Sequence, residues 1–530
     1  MPSKQTTPFR QGNVINWSEY PLDEQDIEFL YNWLLEQEKP QTIEIITDAF
    51  VENKISEIIA SVQKQNAALK LFHPEDDPAI GDKLTFSVFD MQSGKVIDKR
   101  EGSNPDIGKF TVIKVEFENG DMREFATNIV NHPLNLVGTV DENDPALDKE
   151  TVITTLGDEI KTNIAAAMAD SGAFASIAQL WFPESLMIDI NTGHLNLAEA
   201  VLDFTSDGPV STWDILTQIG LADDNKELLE FSMNISLKDD SRFDEVGPSG
   251  EVLWFLTARE PEEVNTQPEI LKTSLFSEAE GEHIDDQLTM FEGMIADEYE
   301  VKGREEEQAD KLTFSLIFPH WQAGTLPLSP ALKAFFPTSI ETPHVRFTFV
   351  DGKTKKEFPG WVVKPFNYVA GLKEWYSALG LLPGSLIHLR KGKNPGEVII
   401  QTDKKRPSRE WIRVAKVKSD GSISFDMQME MVNAGYNDRM LIGIGNVDSV
   451  IDHWVHTPTQ QYLEKSIHHL MRELMKLNPQ GHVHGQELYA AANLLMRCPP
   501  RTILNLLHEA DWVEHTGDLY FSLVDMTKEK

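Results

Sequence analysis

The sequence predicts a multidomain α+β protein, and three observations lead to that fold class. The chain has 530 residues, which is too long for a single hydrophobic core and suggests several domains. Segments whose apolar residues recur at helical spacing alternate along the chain with segments of period-two spacing, as expected when helices and strands are mixed. Charge is unevenly distributed, so that an acidic region precedes a basic one.

Composition indicates the cellular compartment of the protein and excludes some kinds of covalent and metal site. Cys498 is the only cysteine, so an intrachain disulfide and a cysteine zinc site are both excluded. The opening residues lack the apolar run of a signal peptide, and no stretch reaches the ~20 apolar residues of a spanning helix. We therefore expect a cytoplasmic protein without a membrane partner. The net charge of −37 should repel nucleic acid from most of the surface.

Changes in composition and periodicity divide the chain into six predicted parts. They are a helical segment at 22–70, a small β-barrel at 77–137, a helix with a three-helix module at 150–258, an acidic linker at 259–311, a basic β-rich region at 312–450 and a second three-helix module at 458–526.

The first two parts differ in the spacing of their apolar residues, which is helical in 22–70 and alternating in 77–137. In 22–70, apolar residues such as Leu30 and Leu34 recur at helical spacing, Pro40 ends one helix and Thr42 can cap the next. The pair fits half of a helix-turn-helix and equally a plain helical hairpin. In 77–137, apolar and polar residues alternate between turn signals, which predicts an antiparallel sheet or barrel. That part resembles the small Tudor-like barrels of transcription and chromatin proteins.

Residues 194–258 contain three helices followed by a hairpin. HLNLAEAVLDF is amphipathic, Ser211 can cap WDILTQIGL, and KELLEFSMNISLKDD makes the third helix. SRFDEV and EVLWFL then flank the turn GPSG. Three helices and a hairpin in about 65 residues form the winged-helix arrangement. The same order recurs at 458–526, where Pro499 and Pro500 suit the start of the third helix.

The first of these modules also resembles a known family. LNLAEAVLDFTSDGPVSTWDIL and the later RFDEVG are similar to the HARE-HTH winged-helix family, which includes the amino-terminal domain of the bacterial RNA polymerase delta subunit. The resemblance implies a role in transcription or chromatin. The third helix is nevertheless acidic, with Glu227, Glu230, Asp239 and Asp240 against Lys226 and Lys238. Such a helix disfavours the major groove, so a protein partner is at least as well supported as DNA.

The acidic and basic regions are the strongest feature of the charge pattern. Residues 260–310 hold 17 Asp/Glu and 3 Lys/Arg. Residues 351–418 hold 6 Asp/Glu and 15 Lys/Arg, a balance of +9, so the rest of the chain carries −46. The acidic stretch fits a solvated spacer, or an internal mimic of nucleic acid that occupies the basic region.

The basic region is read mainly as strands and has its own resemblance. LPLSPALKAFFP, VRFTFVDG, GWVV and GLKEWYSALGLLPGSLIHL are similar to the pseudobarrel DNA-binding domain of plant auxin response factors. Effector domains of restriction enzymes share that fold. The resemblance implies a β-pseudobarrel that binds DNA.

Cations on several loops of this region are the candidate nucleic-acid ligands, because each phosphate contact releases counterions. They are Lys353, Lys355, Lys356, Arg390, Lys391, Lys393, Lys404, Lys405, Arg406, Arg409, Arg413 and Lys416. Trp361, Trp375, Tyr376 and Trp411 are candidates for base stacking. The alternative is that they fill the core, which we favour for Trp361 and Trp375.

Motifs of catalysis are missing from the sequence. It holds no GxxxxGK[ST] loop and no GxSxG elbow. His482 and His484 flank a predicted helix start, where polar residues are common, so we expect no metal site, no cofactor and no catalytic residue.

The predicted function is therefore that of a non-enzymatic DNA-binding or RNA polymerase-associated transcription factor. DNA and RNA polymerase, or another transcription protein, are the expected partners. Two alternatives stay open. One is a protein-interaction scaffold that does not touch nucleic acid, and the other is an effector or specificity subunit of a DNA-cleaving defence system.

Overall fold

The structure is a computed structural model with mixed α and β elements and curled sheets. Contacts divide the chain into two compact units, one of residues 1–189 and 225–235 and one of residues 190–224 and 236–530. No helix in the described part of the chain is long and apolar enough to cross a bilayer. The structure describes residues 16–17, 20–89, 92–104, 108–130, 132–136, 145–205, 208–275, 286–300, 311–339, 341–394, 396–403 and 405–524.

The first unit is a helical module with a β-sheet inserted in it. Its elements are α1 (Glu24–Gln37), β1 (Gln41–Thr42), α2 (Ile43–Leu69), β2 (Lys83–Phe86), β3 (Gln92–Asn104), β4 (Gly108–Phe117), β5 (Met122–Thr127), α3 (Lys149–Ser171), β6 (Phe174–Ile177) and β7 (Leu180–Pro183). The inserted sheet has the order β2-β3-β4-β5, and the module has a small sheet of order β1-β7-β6. The predicted antiparallel pairing is confirmed for β2–β3, β3–β4 and β4–β5.

Local signals set the helix starts in this module. Asp23 accepts hydrogen bonds from the backbone of the first turn of α1, and Thr42 caps α2 as predicted. The core joins all three helices, with Leu30 from α1, Phe50 from α2 and Ile164 from α3. Helix α3 and the hairpin β6–β7 thus belong with α1 and α2. The sequence had grouped α3 with the module that follows, because the inserted sheet separates it from its partners.

The stretch 192–256, which we call the second module, has the element order that the sequence predicts for 194–258, although residues 225–235 of its third helix are grouped with the first unit. Its elements are α4 (Thr192–Phe204), β8 (Val210–Ser211), α5 (Thr212–Gln218), α6 (Lys226–Lys238), β9 (Phe243–Glu245) and β10 (Leu253–Leu256). Ser211 caps α5 as expected, since its side chain accepts a hydrogen bond from the backbone N–H of Asp214. The sheet has the order β8-β10-β9.

The acidic stretch after this module contains packed structure. It includes α7 (Glu262–Asn265) and α8 (Asp286–Ile295). Phe291 of α8 is fully buried. The carboxylates of Asp297 and Glu298, which follow α8, are almost completely excluded from solvent. Part of the negative charge therefore lies inside the protein and not on a solvated spacer.

The β-rich region forms one curled sheet with three short helices. Its elements are β11 (Leu312–Ser315), α9 (Phe318–Ala323), β12 (Thr325–Pro327), α10 (Pro330–Lys333), β13 (His344–Asp351), β14 (Glu357–Val363), β15 (Tyr368–Ala370), α11 (Lys373–Leu379), β16 (Leu386–Lys391) and β17 (Glu397–Thr402). The seven strands have the order β11-β16-β17-β13-β14-β15-β12. Val345, Phe349 and Ile387 fill the core beneath them.

A β-ribbon and a third helical module complete the chain. The elements are β18 (Ser408–Val417), β19 (Ile423–Val432), β20 (Ile442–Ile444), α12 (Val447–Asp452), α13 (Gln460–Met475), β21 (Val483–His484), α14 (Gly485–Ala492), α15 (Pro500–Glu509), β22 (Val513–Gly517) and β23 (Tyr520–Leu523). The ribbon strands have the order β19-β18-β20, and the last sheet has the order β21-β23-β22. Helix α15 begins at Pro500, as predicted.

One element order thus occurs three times along the chain. Each time a helix leads through a two-residue strand into two further helices and a hairpin. Each time the short first strand pairs with the last strand of the hairpin. In the first unit the inserted sheet lies between the second and third helices.

Candidate nucleic-acid interface

The turn between β13 and β14 carries three exposed lysines, Lys353, Lys355 and Lys356. Asp351 fixes the turn, because its Oδ1 accepts a hydrogen bond of 2.9 Å from the Lys353 N–H and its Oδ2 accepts one of 2.7 Å from the Trp375 indole. Burial would raise the pKa of Asp351, but the hydrogen bonds of Thr354 and Trp375 outweigh it and keep that pKa below its usual value. The three lysines therefore extend from a turn whose backbone is hydrogen-bonded to Asp351.

The turn between β16 and β17 holds a second cationic group. Arg390 donates a hydrogen bond of 3.0 Å to the neutral side chain of Gln401, and Lys391 and Lys393 are exposed. The pKa of Glu397 is lowered, chiefly by the Asn394 amide and to a lesser extent by Lys393.

Sheet register places these two turns at opposite ends of β17. Strand β13 runs parallel to β17, with Thr348 opposite Glu397 and Asp351 opposite Ile400. The β13–β14 turn therefore lies at the carboxyl end of β17, and the β16–β17 turn precedes its amino end. A strand of six residues separates the two ends by about 16–20 Å. The predicted cations on these two turns therefore form two separate groups.

The carboxyl end of β17 leads directly into the ribbon. Residues 403–407 join β17 to β18, so the start of β18 lies within ~20 Å of that end. Arg406 and Arg409 are exposed there. Lys404 lies outside the described residues. We call Lys353, Lys355, Lys356, Arg406, Arg409 and Trp411 the open basic surface.

Trp411 is the exposed aromatic residue of this surface. Its relative exposure is 64%, whereas Trp361 is 2% exposed and Trp375 is 8% exposed. The core assignment of Trp361 and Trp375 is thereby confirmed, and Tyr376 is buried as well. Trp411 lies on the same face of the ribbon as Arg409, two residues before it, because side chains alternate along a strand.

Three methionines face the same side and were missed by the sequence reasoning. Cross-strand pairing puts Met431, Met429 and Met427 opposite Arg409, Trp411 and Arg413. Their exposures of 49%, 46% and 44% make a continuous apolar strip beside the indole. The period-two alternation in FDMQMEMV is the signal that would have found them.

Three of the predicted cations are paired with carboxylates. Arg413 Nη1 lies 2.6 Å from Glu487, Lys416 Nζ lies 2.9 Å from Asp426, and Lys405 Nζ lies 3.0 Å from Glu410. Arg413 also donates to the carbonyl oxygen of Asp438, and burial lowers its pKa. These three side chains are held by the fold. Within the described residues, the cations of the open basic surface form no ion pair.

One polar chain in the sheet has the composition of a catalytic relay. Thr313 Oγ1 lies 2.7 Å from His388 Nδ1, and His388 Nε2 lies 2.7 Å from Asp403 Oδ1. Thr313 and His388 are direct cross-strand partners in β11 and β16. Sheet register therefore accounts for their contact.

Comparison of the chain with models of protein families, with curated proteins and with solved structures finds no match in any of the three. The family resemblances given above thus rest on the residues quoted for them.

Proposed function

We propose that this protein is a non-enzymatic nucleic-acid-binding protein of the transcription apparatus, which contacts its polyanion through the open basic surface. The observation that carries the proposal is Trp411, a 64% exposed indole. It lies beside Arg409, which forms no ion pair with the residues that the structure describes. An exposed aromatic face next to open cations is the arrangement that binds single strands, since bases stack on the ring while cations track the backbone.

Winged-helix modules are the second part of the proposal. The thrice-repeated order of helix, strand, two helices and hairpin is that of winged-helix domains. Their third helices are α3, α6 and α15. Helix α3 has Glu150, Asp158, Glu159 and Asp170 against Lys149 and Lys161. Helix α6 has two acidic and two basic residues, and Asp239 and Asp240 follow it. In α15 the single arginine, Arg501, is buried.

These charges assign different partners to different parts of the chain. A helix without a cationic face gains nothing from phosphates. We therefore infer that the modules bind protein, with RNA polymerase or another transcription protein as the expected partner, and that nucleic acid is left to the open basic surface. The high negative charge elsewhere restricts the polyanion to that surface.

The direct experiment measures binding of a fluorescent single-stranded oligodeoxynucleotide to the full chain at low salt. Loss of one stacking contact costs ~1–3 kcal/mol, so Trp411→Ala is expected to weaken binding by roughly 5- to 150-fold. Met122→Ala is the matched control, because Met122 is a 56% exposed apolar residue of the inserted sheet. Absence of binding at low salt, or equal affinity of the two variants, would refute the proposal.

A protein-docking scaffold is the second candidate function, and the methionine strip favours it. Met427, Met429 and Met431 give an adaptable apolar surface, and exposed apolar patches mark interaction sites. If this alternative holds, the wild-type chain captures a protein partner from nuclease-treated lysate and Met429→Ser abolishes that capture. The wild-type chain then binds no oligonucleotide.

A further inference from the structure

Three metal-ligating side chains from separate elements meet at one point of the second unit. Asp244 comes from β9, Glu260 follows β10 and His344 is the first residue of β13. One candidate ligand atom from each residue lies within 4.8 Å of the other two. The His344 Nδ1 is 2.9 Å from the Asp244 Oδ2.

Backbone hydrogen bonds hold the three elements in place. The Arg346 N–H donates to the carbonyl oxygen of Val246 at 3.0 Å, which ties β13 to the chain just after β9. The Thr257 N–H donates to the carbonyl oxygen of Arg242 at 3.0 Å, which closes the hairpin before Glu260. These bonds fix the backbone of the elements that carry the three side chains.

Glu260 is the member of the cluster that the protein leaves poorly satisfied. Both of its Oε atoms are buried, and neither accepts a hydrogen bond of good geometry within the described residues. One carboxylate oxygen of Asp244 lies within 4.8 Å of one of Glu260. A buried carboxylate beside a second carboxylate needs a cation or a proton between them.

We propose that Asp244, Glu260 and His344 bind one divalent transition-metal ion, with Zn²⁺ as the representative ion. The ligand chemistry decides the class, because an imidazole nitrogen with two carboxylates suits zinc and related ions. Ca²⁺ and Mg²⁺ prefer sites made of oxygen alone.

The proposed ion has a structural consequence that is independent of nucleic-acid binding. Two ligands come from the hairpin end of the second module and the third comes from the seven-stranded sheet. The ion would therefore clamp that hairpin to the sheet at β13. Three protein ligands also leave a coordination position for water or a partner's side chain, and Asp244 is still 23% exposed.

Titration of the metal-stripped full chain with Zn²⁺ in a calorimeter tests the proposal. The chain has 15 histidines, so the informative quantity is the loss of one site. His344→Gln and Glu260→Gln are each expected to lose one equivalent or to weaken it at least tenfold. His453→Gln, which removes an exposed imidazole after α12, is expected to keep it. Equal stoichiometry and affinity in all four proteins would overturn the proposal.

Two further measurements test the proposal even if the substituted proteins fold poorly. Zn²⁺ should raise the Tm of the wild type and of His453→Gln, and leave that of Glu260→Gln unchanged. Co²⁺ added to the wild type alone should give the intense visible bands of a low-coordinate site. A weak spectrum typical of the hydrated ion, together with a Tm that Zn²⁺ does not raise, would show that the two carboxylates share a proton instead.

Discussion

Arg497 and Arg409 lie in the same unit and have opposite environments. Arg497 is completely buried and donates hydrogen bonds of 2.8 and 2.7 Å to the two oxygens of Asp297 and one of 3.0 Å to Asn493. Its guanidinium also lies 2.8 Å from Glu298. Arg409 is exposed on β18 without an ion pair in the described residues. The comparison shows that a cation's role follows from the carboxylates that the fold brings to it, and not from the local excess of positive charge.

The network around Arg497 joins three parts of the second unit. Glu298 follows α8, His320 lies in α9 and Arg497 follows α14. His320 Nε2 is 2.9 Å from Glu298. Burial alone would raise the pKa of Glu298, but Arg497 and His320 lower it to about 2. Glu298 therefore stays ionised, and the network depends on its arginine.

Removing that arginine should have the largest effect. Arg497→Met leaves Asp297 and Glu298 buried without their counter-ion, and breaking such a pair typically costs ~3–5 kcal/mol. Urea unfolding monitored by far-UV circular dichroism measures the change. Lys465→Met, on the exposed side of α13, is the control and should stay within about 0.5 kcal/mol of the wild type. A loss below ~1 kcal/mol in Arg497→Met would contradict the stabilising role of the network.

The two tryptophan environments give the next contrast. Trp361→Ala should lower the free energy of unfolding by ~3–5 kcal/mol, because Trp361 is 2% exposed and its removal leaves a cavity. Trp411→Ala should change it by less than ~1 kcal/mol. Urea unfolding measures both changes. Similar losses of unfolding free energy in the two variants would mean that Trp411 is part of the core in solution.

Two arginines on one strand sharpen the comparison further. Arg413→Ala leaves Glu487 without its cationic partner and should lower the free energy of unfolding by ~1–3 kcal/mol. Arg409→Ala should leave that free energy almost unchanged. If thermal denaturation gave the two variants equal Tm values, the partners of Arg413 would not contribute to stability.

His484 gives an effect that appears only as the pH is lowered. Burial, with a smaller contribution from Arg439, lowers the pKa of His484 to about 4. The unfolded imidazole has a pKa near 6.5, so the unfolded state takes up the proton first as pH falls. The stability due to neutral His484 is complete above about pH 6.5 and is lost towards pH 4.

His484→Gln should therefore lose less stability than the wild type between about pH 6.5 and 4. His453→Gln serves as the exposed-histidine control and should follow the wild type. Parallel pH profiles for all three proteins would rule out a depressed pKa at His484.

Local sequence signals predicted much of the fold. Period-two patterns gave the strands β13, β14, β16, β17 and β18, and caps such as Thr42 and Ser211 marked the helix starts. Local signals could not predict that α3 packs with α1 and α2, because the inserted sheet separates α3 from them in the sequence. The burial of Glu298 was equally hidden, because its partner Arg497 is 199 positions away.

The candidate site divides in the same way. Lys353, Lys355 and Arg409 were chosen from charge alone and lie exposed. The pairing of Arg413 and Lys416 could not be read from their own segment, because Glu487 and Asp426 come from other elements. A cluster of cations in sequence therefore overstates the charge that is free to bind.

The salt dependence of oligonucleotide affinity tests the open basic surface most directly. Two triple variants each remove three charges from the full chain. One replaces the open cations Lys353, Lys355 and Arg409 by Ala, and the other replaces Lys405, Lys416 and Lys418, which pair with Glu410, Asp426 and Glu473. The slope of log K against log salt should become shallower by about 2 in the first variant and change little in the second. Equal slopes in the two variants, or a wild-type affinity that does not respond to salt, would contradict the account.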